Sequence, residues 1–199
     1  MRSDIKKQKS DWLRVGFILF TICAVTSLLL AVAHYFTSPV IQAAAEMRLN
    51  DSLGELIVDA AEFSPAENFE KTVVVNGTKV PVREVYIAKN ENGTTIGYCV
   101  EVAPSGYSSQ IELLVALDAE RIVTGTRILS ISDTPGVGMK VKTDENLHNS
   151  VIGLADIVKI VRTAPASKNE VEVISGASIS SGAFINGVNA AIETVQDLK

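Results

Sequence analysis

The stretch from Val15 to Phe36 limits what this chain can fold into more than any other feature of the sequence. It holds 22 residues and contains no Asp, Glu, Lys or Arg. An α-helix rises about 1.5 Å per residue, so this stretch is long enough to cross a hydrocarbon core of roughly 30 Å. Lipid offers no partner to backbone N–H and C=O groups, which a helix satisfies internally. The sequence therefore predicts one transmembrane helix over residues 15–36.

The residues that flank this stretch predict its orientation. Trp12 and Tyr35 suit the two membrane–water interfaces. The basic residues before the stretch are Arg2, Lys6, Lys7, Lys9 and Arg14. The first basic residue after it is Arg48. Because basic residues concentrate on the cytoplasmic side, we expect residues 1–14 to be a cytoplasmic tail and the C-terminal part to lie outside the cytoplasm. The chain would then cross the lipid of the inner (cytoplasmic) membrane once.

A cleaved signal peptide is the competing interpretation of the same stretch. Ala31-Val32-Ala33 resembles a signal-peptidase site. The apolar run, however, is longer than the usual signal core of about 7 to 15 residues. It also continues as an amphipathic helical pattern from Val40 to Ile57. We therefore expect the segment to be retained.

The rest of the chain is predicted to form a helical connection and one domain. Pro39 is expected to begin a second helix over residues 40–60, and Ser64-Pro65 is expected to break the pattern. Residues 37–65 are thus predicted to be a juxtamembrane helix and linker. Residues 66–199 are predicted to be an extracytoplasmic domain.

The domain is predicted to be α+β, with an antiparallel sheet and flanking helices. Asn76-Gly77 is a strong hairpin signal because both residues tolerate positive φ, and Asn90–Gly93 marks a second turn. A short helix is expected near residues 144–154, and a last helix over Gly182–Leu198. The predicted strands are Lys71–Val75, Lys79–Ala88, Ile96–Val102, Ile111–Asp118, Arg121–Ser132, Asp156–Arg162 and Val171–Ile174.

Composition argues against several classes of function. After residue 36 the chain has 13 basic and 21 acidic residues, a formal charge of −8. An acidic domain without a basic patch is not expected to bind nucleic acid. Cys23 lies in the apolar run and Cys99 in a predicted strand, so we expect no disulfide. The sequence has no C-x-x-C or H-E-x-x-H pattern, so no zinc or iron–sulfur site is expected.

The segment Glu172–Gly182 is the most unusual one outside the membrane stretch. A predicted strand ends there, small and hydroxylated residues follow, and a helix begins. N–H groups at a helix N-terminus lack internal partners and carry partial positive charge, so they suit a phosphate. Small residues also let a ligand approach the backbone. Serines before a helix are nevertheless most often N-caps, so at this point both interpretations stand.

Part of this segment resembles the flavin-attachment motif of a known family. Ser175-Gly176-Ala177-Ser178 is similar to the D-x-x-[ST]-G-A-[TS] motif of the G subunit of the Rnf electron-transport complex, and of the C subunit of the sodium-pumping NADH:quinone reductase. The resemblance implies that a flavin transferase uses FAD to attach FMN to Ser178 through a phosphoester. Glu172 stands where the motif has Asp, and Ser178 where Thr is commoner. The other cofactor-site residues implied here are Ser175, Gly176, Ala177, Glu172, Ser180 and Ser181.

Two further segments carry the resemblance. Gly106-Tyr107-Ser108-Ser109 resembles the family's G-Y-S-G segment, with Ser109 in place of Gly. Asp133–Lys140 resembles the E-T-P-G-L-G segment, with Asp133 in place of Glu. Without the family, the second loop is equally typical of an ordinary Pro-Gly turn. The cofactor contacts that the resemblance implies in these loops are Gly106, Tyr107, Thr134, Gly136, Gly138 and Lys140.

The resemblance implies an electron-carrying subunit of an ion-translocating ferredoxin:NAD oxidoreductase complex. Its partners would be the other integral and peripheral subunits of that complex. Two alternatives remain open: a subunit of the related sodium-pumping quinone reductase, and a membrane-anchored flavin module that senses or scaffolds without relaying electrons. A hydrolase with Ser178 as nucleophile is disfavoured, because the second Gly of a nucleophile elbow is missing and no His follows Ser178.

Overall fold

The computed structural model describes residues 2–66, 71–134, 136 and 138–198, with side chains described from residue 14 onward and for Trp12. The chain divides into two compact units, Met1–Met47 and Arg48–Lys199. The first helix, α1, runs over Arg2–Leu56 and contributes to both units.

The first unit is a stretch of α1 with an uncovered apolar surface. The helical segment Arg14–Leu56 is long and apolar enough to cross a membrane, with a mean hydropathy of 2.5 in its most apolar part. Large side chains on it, such as Phe17, Leu29 and Phe36, are exposed. An apolar helix that nothing in its own fold covers belongs in lipid or against another chain. The long apolar helix predicted from the sequence is therefore confirmed.

Pro39 lies inside α1, so the prediction that it begins a second helix is wrong. A proline in a helix interior removes one backbone hydrogen bond and costs about 3 kcal/mol. The long apolar run before Pro39 and the three good helix formers Ala43–Ala45 after it favour the helix enough to offset this cost. The hydroxyl of Thr37 also donates back to the carbonyl oxygen of Ala33 at 2.9 Å within the same helix.

Six strands form an antiparallel sheet in the second unit. They are β1 (Glu62–Pro65), β2 (Lys71–Val75), β3 (Thr78–Lys89), β4 (Thr95–Val102), β5 (Glu112–Asp118) and β6 (Val123–Ser130). Their order is β1-β3-β4-β5-β6, and β2 also pairs with β3. The hairpin residues Asn76 and Gly77 have positive φ, as expected. The helical pattern has ended before Ser64-Pro65, since α1 ends at Leu56, and both residues lie in β1, where proline is tolerated at the end of an edge strand.

The remaining elements follow the sheet along the chain. They are α2 (Lys140–Thr143), α3 (Glu145–Ser150), β7 (Lys159–Val161), β8 (Glu170–Glu172) and α4 (Ser178–Asp197). β7 and β8 form a separate parallel pair. The helix predicted near residues 144–154 is observed as α3, which covers only Glu145–Ser150. The last helix begins at Ser178 and not at Gly182, because the chain turns at Gly176, where φ is 83°, and the serines form the first helical turn.

Helices cover the sheet on both faces. α4 buries Phe184, Val188 and Ile192 in the larger core, which also contains strand residues such as Val100 and Leu113. The last turns of α1 cover the other face, where Leu53 packs with residues including Tyr86, Cys99 and Leu114. Fully burying a side chain of this size contributes about 1.5–3 kcal/mol. The predicted α+β class is confirmed, and the compact unit starts at Arg48, ahead of residue 66, because the end of α1 supplies one side of its core.

Candidate functional site

The N-terminus of α4 has no side-chain cap among the described residues. The cap position is Ala177, whose φ of −121° and ψ of 29° lie outside the usual capping conformation, and whose methyl group accepts no hydrogen bond. The helical bonding starts with the N–H of Ser181, which donates to the carbonyl of Ala177 at 2.8 Å. The backbone N–H groups of the preceding turn therefore lack helical partners and make this end electropositive. The first turn itself contains no acidic residue.

Four serines lie around this helix end, and the structure gives them different environments. Ser180 and Ser181 are buried, and their hydroxyls are already used: Ser180 donates to Asp133, and Ser181 accepts from the N–H of Ile174 at 3.2 Å. Ser175 and Ser178 are exposed. Ser178 is the first residue of α4, so its hydroxyl lies at the electropositive end of the helix and is accessible to a ligand.

A cleft of about 490 Å³ lies at this helix end. Its lining residues are Tyr107, Thr134, Gly138, Gly176, Ala177, Ser178, Ile179 and Ser180. Tyr107 is 67 % exposed and Ile179 is 57 % exposed, so two large apolar side chains border the cleft without being covered by the protein. Its size lies in the range of roughly 300–1,000 Å³ found for small-molecule sites. An apolar border beside an electropositive helix end suits a ligand with one flat apolar part and one phosphate.

Asp133 joins the three segments that form the cleft, a role that sequence reasoning missed. Its Oδ2 accepts from the Ser180 hydroxyl at 2.6 Å and from the N–H of Tyr107 at 3.3 Å. Its Oδ1 accepts from the N–H groups of Ser108 and Ser109, at 2.8 and 3.3 Å. The carboxylate thereby ties residues 106–109 and the first turn of α4 to the loop before α2. The only sequence signal for this role was an acid directly before a Thr-Pro-Gly turn.

The environment of Asp133 favours its charged form. Burial raises the pKa of this carboxyl, but the hydrogen bonds from Ser180 and from the three backbone N–H groups outweigh burial, so the pKa lies below its usual value. Two glycines make room for the carboxylate. A Cβ on Gly106 would lie 2.9 Å from its Oδ2, and a Cβ on Gly138 would lie 2.6 Å from its Cβ.

The structure brings together seven of the residues that sequence reasoning assigned to the cofactor, all of them lining the cleft: Tyr107, Thr134, Gly138, Gly176, Ala177, Ser178 and Ser180. The other six do not line it. Gly106 packs on Asp133, and Ser181 holds the N–H of Ile174. Glu172 lies in β8 and lines a separate cavity of about 260 Å³. Gly136, Lys140 and Ser175 are exposed outside the cleft, and Pro135 and Val137 of the same loop lie outside the described residues.

Comparison with known proteins identifies the family. The FMN-binding domain family matches residues 106–193, from the first cleft loop to the last turns of α4. Over 204 residues the chain is 33 % identical to the G subunit of the Na⁺-translocating ferredoxin:NAD⁺ oxidoreductase complex of Acetobacterium woodii, and the match covers 97 % of each chain. The chain belongs to the G-subunit family of ion-translocating oxidoreductase complexes. The resemblance found in the motifs is thus confirmed.

A second G subunit is also similar to this chain, and one solved structure superposes on part of it. The G subunit of the proton-translocating ferredoxin:NAD⁺ oxidoreductase complex of Clostridium ljungdahlii is 32 % identical over 173 residues, covering 87 % of this chain and 85 % of that one. A crystal structure of the C subunit of the Na⁺-translocating NADH-quinone reductase from Parabacteroides distasonis superposes with a TM-score of 0.47 and 16 % identity. That superposition covers 70 % of this chain and 80 % of that chain.

The cleft of this G-subunit family member fits FMN. The uncapped turn of α4 offers N–H groups to a phosphate, and Ser178 offers a free hydroxyl beside them. Tyr107 and Ile179 offer apolar surface to the ring. Among the described residues that line the cleft there is no His, Asp or Glu, so none of them offers Ser178 the general base that a hydrolase needs. His148 is bonded instead to Thr126 and to the carbonyl of Val141.

Proposed function

We propose that this chain is the electron-carrying subunit of a membrane-bound, ion-translocating ferredoxin:NAD oxidoreductase (Rnf) complex, with FMN joined to Ser178 by a phosphoester. The observation that carries the proposal is the position of Ser178. It is an exposed hydroxyl on the first residue of α4, at the wall of the cleft, within a segment that the FMN-binding domain family matches.

The first turn of α4 is proposed to hold the phosphate. Its free N–H groups would donate to the phosphate oxygens, and the small residues Gly176 and Ala177 would let the ligand approach the backbone. Ser178 would supply the ester oxygen. Its Oγ–P bond would form as the pyrophosphate bond of FAD breaks and AMP leaves, and the hydroxyl proton would pass to solvent or to the transferase. Bound FMN supplies one- and two-electron transfer.

The remaining family residues are proposed to support the cofactor from the cleft border and the adjacent loops. Tyr107 and Ile179 would pack on the ring, and Thr134 would offer it a hydroxyl. Lys140, exposed at the start of α2, would add positive charge near the phosphate. Glu172 is exposed before the attachment segment, so we assign it to the surface that a flavin transferase reads during maturation. The supporting residues that shape the segment are Gly106, Gly136, Gly138, Ser175, Ser180 and Ser181.

The apolar helix is proposed to anchor this carrier in the inner membrane beside its partners. Residues 15–36 would cross the lipid once, with residues 1–14 in the cytoplasm and the C-terminal domain outside it. The helix would pack against integral subunits of the complex, so that electrons pass between their cofactors and the flavin. Covalent attachment would keep the cofactor from being lost outside the cytoplasm.

Attachment of flavin to Ser178 can be tested on denaturing gels. The full chain is produced together with a flavin transferase, separated after denaturation and viewed under ultraviolet light. The parent chain should fluoresce as flavin, and Ser178→Ala should be dark. Ser167→Ala is the matched control, because it removes an exposed hydroxyl that lies outside both the attachment segment and the cleft. Fluorescence that persists in Ser178→Ala, or a dark parent chain, contradicts the proposal.

Electron relay needs a second test in the assembled complex. Reduced ferredoxin or NADH should bleach the absorbance of the flavin on Ser178 through the other subunits. A flavin that is attached but never exchanges electrons with the complex would favour the sensing or scaffolding alternative.

A further inference from the structure

We infer that Asp133 is a positioning residue whose buried negative charge lowers the reduction potential of a flavin held in the Ser178 cleft. The inference rests on the proposed function, since it concerns the cofactor of that cleft. The inference goes beyond the proposed function because it names a residue that sets the reduction potential of the flavin, and this residue does not line the cleft.

Asp133 is the only buried acidic side chain among the residues that the structure describes, with 3 % of its surface exposed. Burial of a carboxyl group is costly unless its charge is stabilised locally. Four donors surround its two oxygens, one hydroxyl and three backbone N–H groups. These donors hold the carboxyl ionised, with its pKa below the usual value.

The charge of Asp133 is held without a positively charged partner in the described part of the chain. All four of its donors are neutral groups, and none of the ion pairs between described residues involves Asp133. A carboxylate paired with a cation has a field that falls off quickly, whereas one held by neutral donors keeps most of its unit charge. Water cannot screen this charge well, because the carboxylate is buried.

The carboxylate lies directly behind the cleft wall. Ser180 lines the cleft and donates to Asp133 at 2.6 Å. Gly138 also lines the cleft, and a Cβ on it would lie 2.6 Å from the Cβ of Asp133. One layer of atoms therefore separates the carboxylate from a ligand in the cleft. An electron added to a ligand there would meet a fixed negative charge, which makes reduction less favourable.

A redox titration of the full chain in detergent tests the inference. Flavin content is measured first from gel fluorescence, and the midpoint potential is then measured by absorbance during stepwise reduction with dithionite in the presence of mediator dyes. Asp133→Asn keeps the side-chain shape and removes the charge, so its potential should be more positive than that of the parent. Asp133→Glu restores the charge and should return the potential towards the parent value.

A matched control separates the effect of Asp133 from the effect of removing one negative charge elsewhere on the protein. Glu91→Gln removes a charge from the exposed turn at the start of β4, whereas the cleft loop follows the end of that strand. Its potential should equal that of the parent. A fully loaded Asp133→Asn chain with the parent potential overturns the inference, as does an equal shift in Asp133→Glu. A parent chain without flavin instead overturns the proposed function.

A second measurement does not depend on whether the Asn variant folds or takes up flavin. The infrared difference spectrum between reduced and oxidised parent chain should contain a carboxylate band that moves when aspartate is labelled with ¹³C. Asp133 would give this band because it is buried against the cleft, whereas exposed aspartates are screened by water. A spectrum without any label-sensitive carboxylate band overturns the inference.

Discussion

The hydroxyl of Ser180 donates to Oδ2 of Asp133 across 2.6 Å, two residues beyond the hydroxyl to which we assign the cofactor. Both partners are buried. The bond ties the first turn of α4 to the loop before α2, and the other oxygen of the same carboxylate holds the loop of residues 106–109. The position of Ser178 therefore depends on a contact made by its neighbour, and the bond can be tested separately from the cofactor.

Ser180→Ala should destabilise the domain by about 1–3 kcal/mol, because it leaves a buried carboxylate oxygen with one donor fewer. The measurement is urea unfolding of the full chain in mild detergent, followed by circular dichroism. Ser175→Ala removes an exposed hydroxyl of the same segment and should change stability by less than about 0.5 kcal/mol. Equal effects of the two substitutions would show that the bond between Ser180 and Asp133 contributes nothing.

Gly138→Ala should lower the free energy of unfolding of the domain by about 1–3 kcal/mol, because the added methyl group overpacks the space beside Asp133. The new methyl group would lie 2.6 Å from the Cβ of Asp133 and 2.9 Å from the Ser180 hydroxyl oxygen. Gly182→Ala is the control, because the nearest atom to its new methyl group is 3.8 Å away, in the side chain of Ile160. Alanine in this helical position should stabilise by roughly 0.5–1 kcal/mol. In thermal unfolding, Gly138→Ala should therefore lower the melting temperature, whereas Gly182→Ala should raise it.

Acid should weaken the domain through Asp133. Its folded pKa lies below that of the unfolded chain, about 3.9. Its contribution to stability is therefore complete above that unfolded value and is lost as pH falls through the folded pKa. The free energy of unfolding, measured between pH 6 and 3, should fall less steeply in Asp133→Asn than in the parent. Parallel curves would mean that the carboxyl titrates alike in both states.

His148 should add a pH dependence at milder acidity. Burial lowers the pKa of this imidazole, and its two nitrogens contact the Thr126 hydroxyl at 2.6 Å and the Val141 carbonyl at 3.0 Å. The neutral ring satisfies both contacts by accepting from Thr126 and donating to Val141. Stability from His148 is therefore present above the unfolded pKa of about 6.5 and is lost as pH falls through the lower folded pKa. His148→Gln should flatten the stability curve between pH 7 and 5, which unfolding at stepped pH would measure.

The end of α1 should be as important for the domain as its strands. Leu53 is 2 % exposed and packs against the sheet face opposite α4. Leu53→Ala should lower the free energy of unfolding by about 2–5 kcal/mol, because it leaves a cavity in a packed core. Val58→Ala, at a position that is 81 % exposed, should be close to neutral by the same urea assay. An equally small effect at Leu53 would mean that α1 does not complete the core.

Much of the fold could be predicted, because strand alternation and turn residues are local signals. Asn76-Gly77 indicated its hairpin, since positive φ at both residues is a property of the residues themselves. The prediction of a helix start at Pro39 was wrong because the free-energy cost of a proline falls on one turn, whereas α1 continues for many residues on either side. The start of α4 was predicted too late because serine by itself favours turns and helix caps. In the folded chain, Ser178–Ser181 form the first turn of the helix.

The candidate site was predictable only where a motif carries the chemistry. The four serines of the attachment segment are alike in sequence, and only packing separates the exposed Ser178 from the buried Ser180. Asp133 lies 47 residues before its partner Ser180, and no periodicity connects the two. Contacts of this kind depend on how loops meet in space, which hydrophobic pattern does not specify.

The central claim is that the oxygen of Ser178 carries FMN, and peptide mass spectrometry tests it most directly. Trypsin should release residues 169–199 as one peptide, since no Lys or Arg lies between Lys168 and Lys199. From chain produced with a flavin transferase, this peptide should be heavier by one FMN less one water, and fragmentation should locate the added mass on Ser178. An unmodified peptide, or the same mass on Ser175, Ser180 or Ser181, would contradict the account.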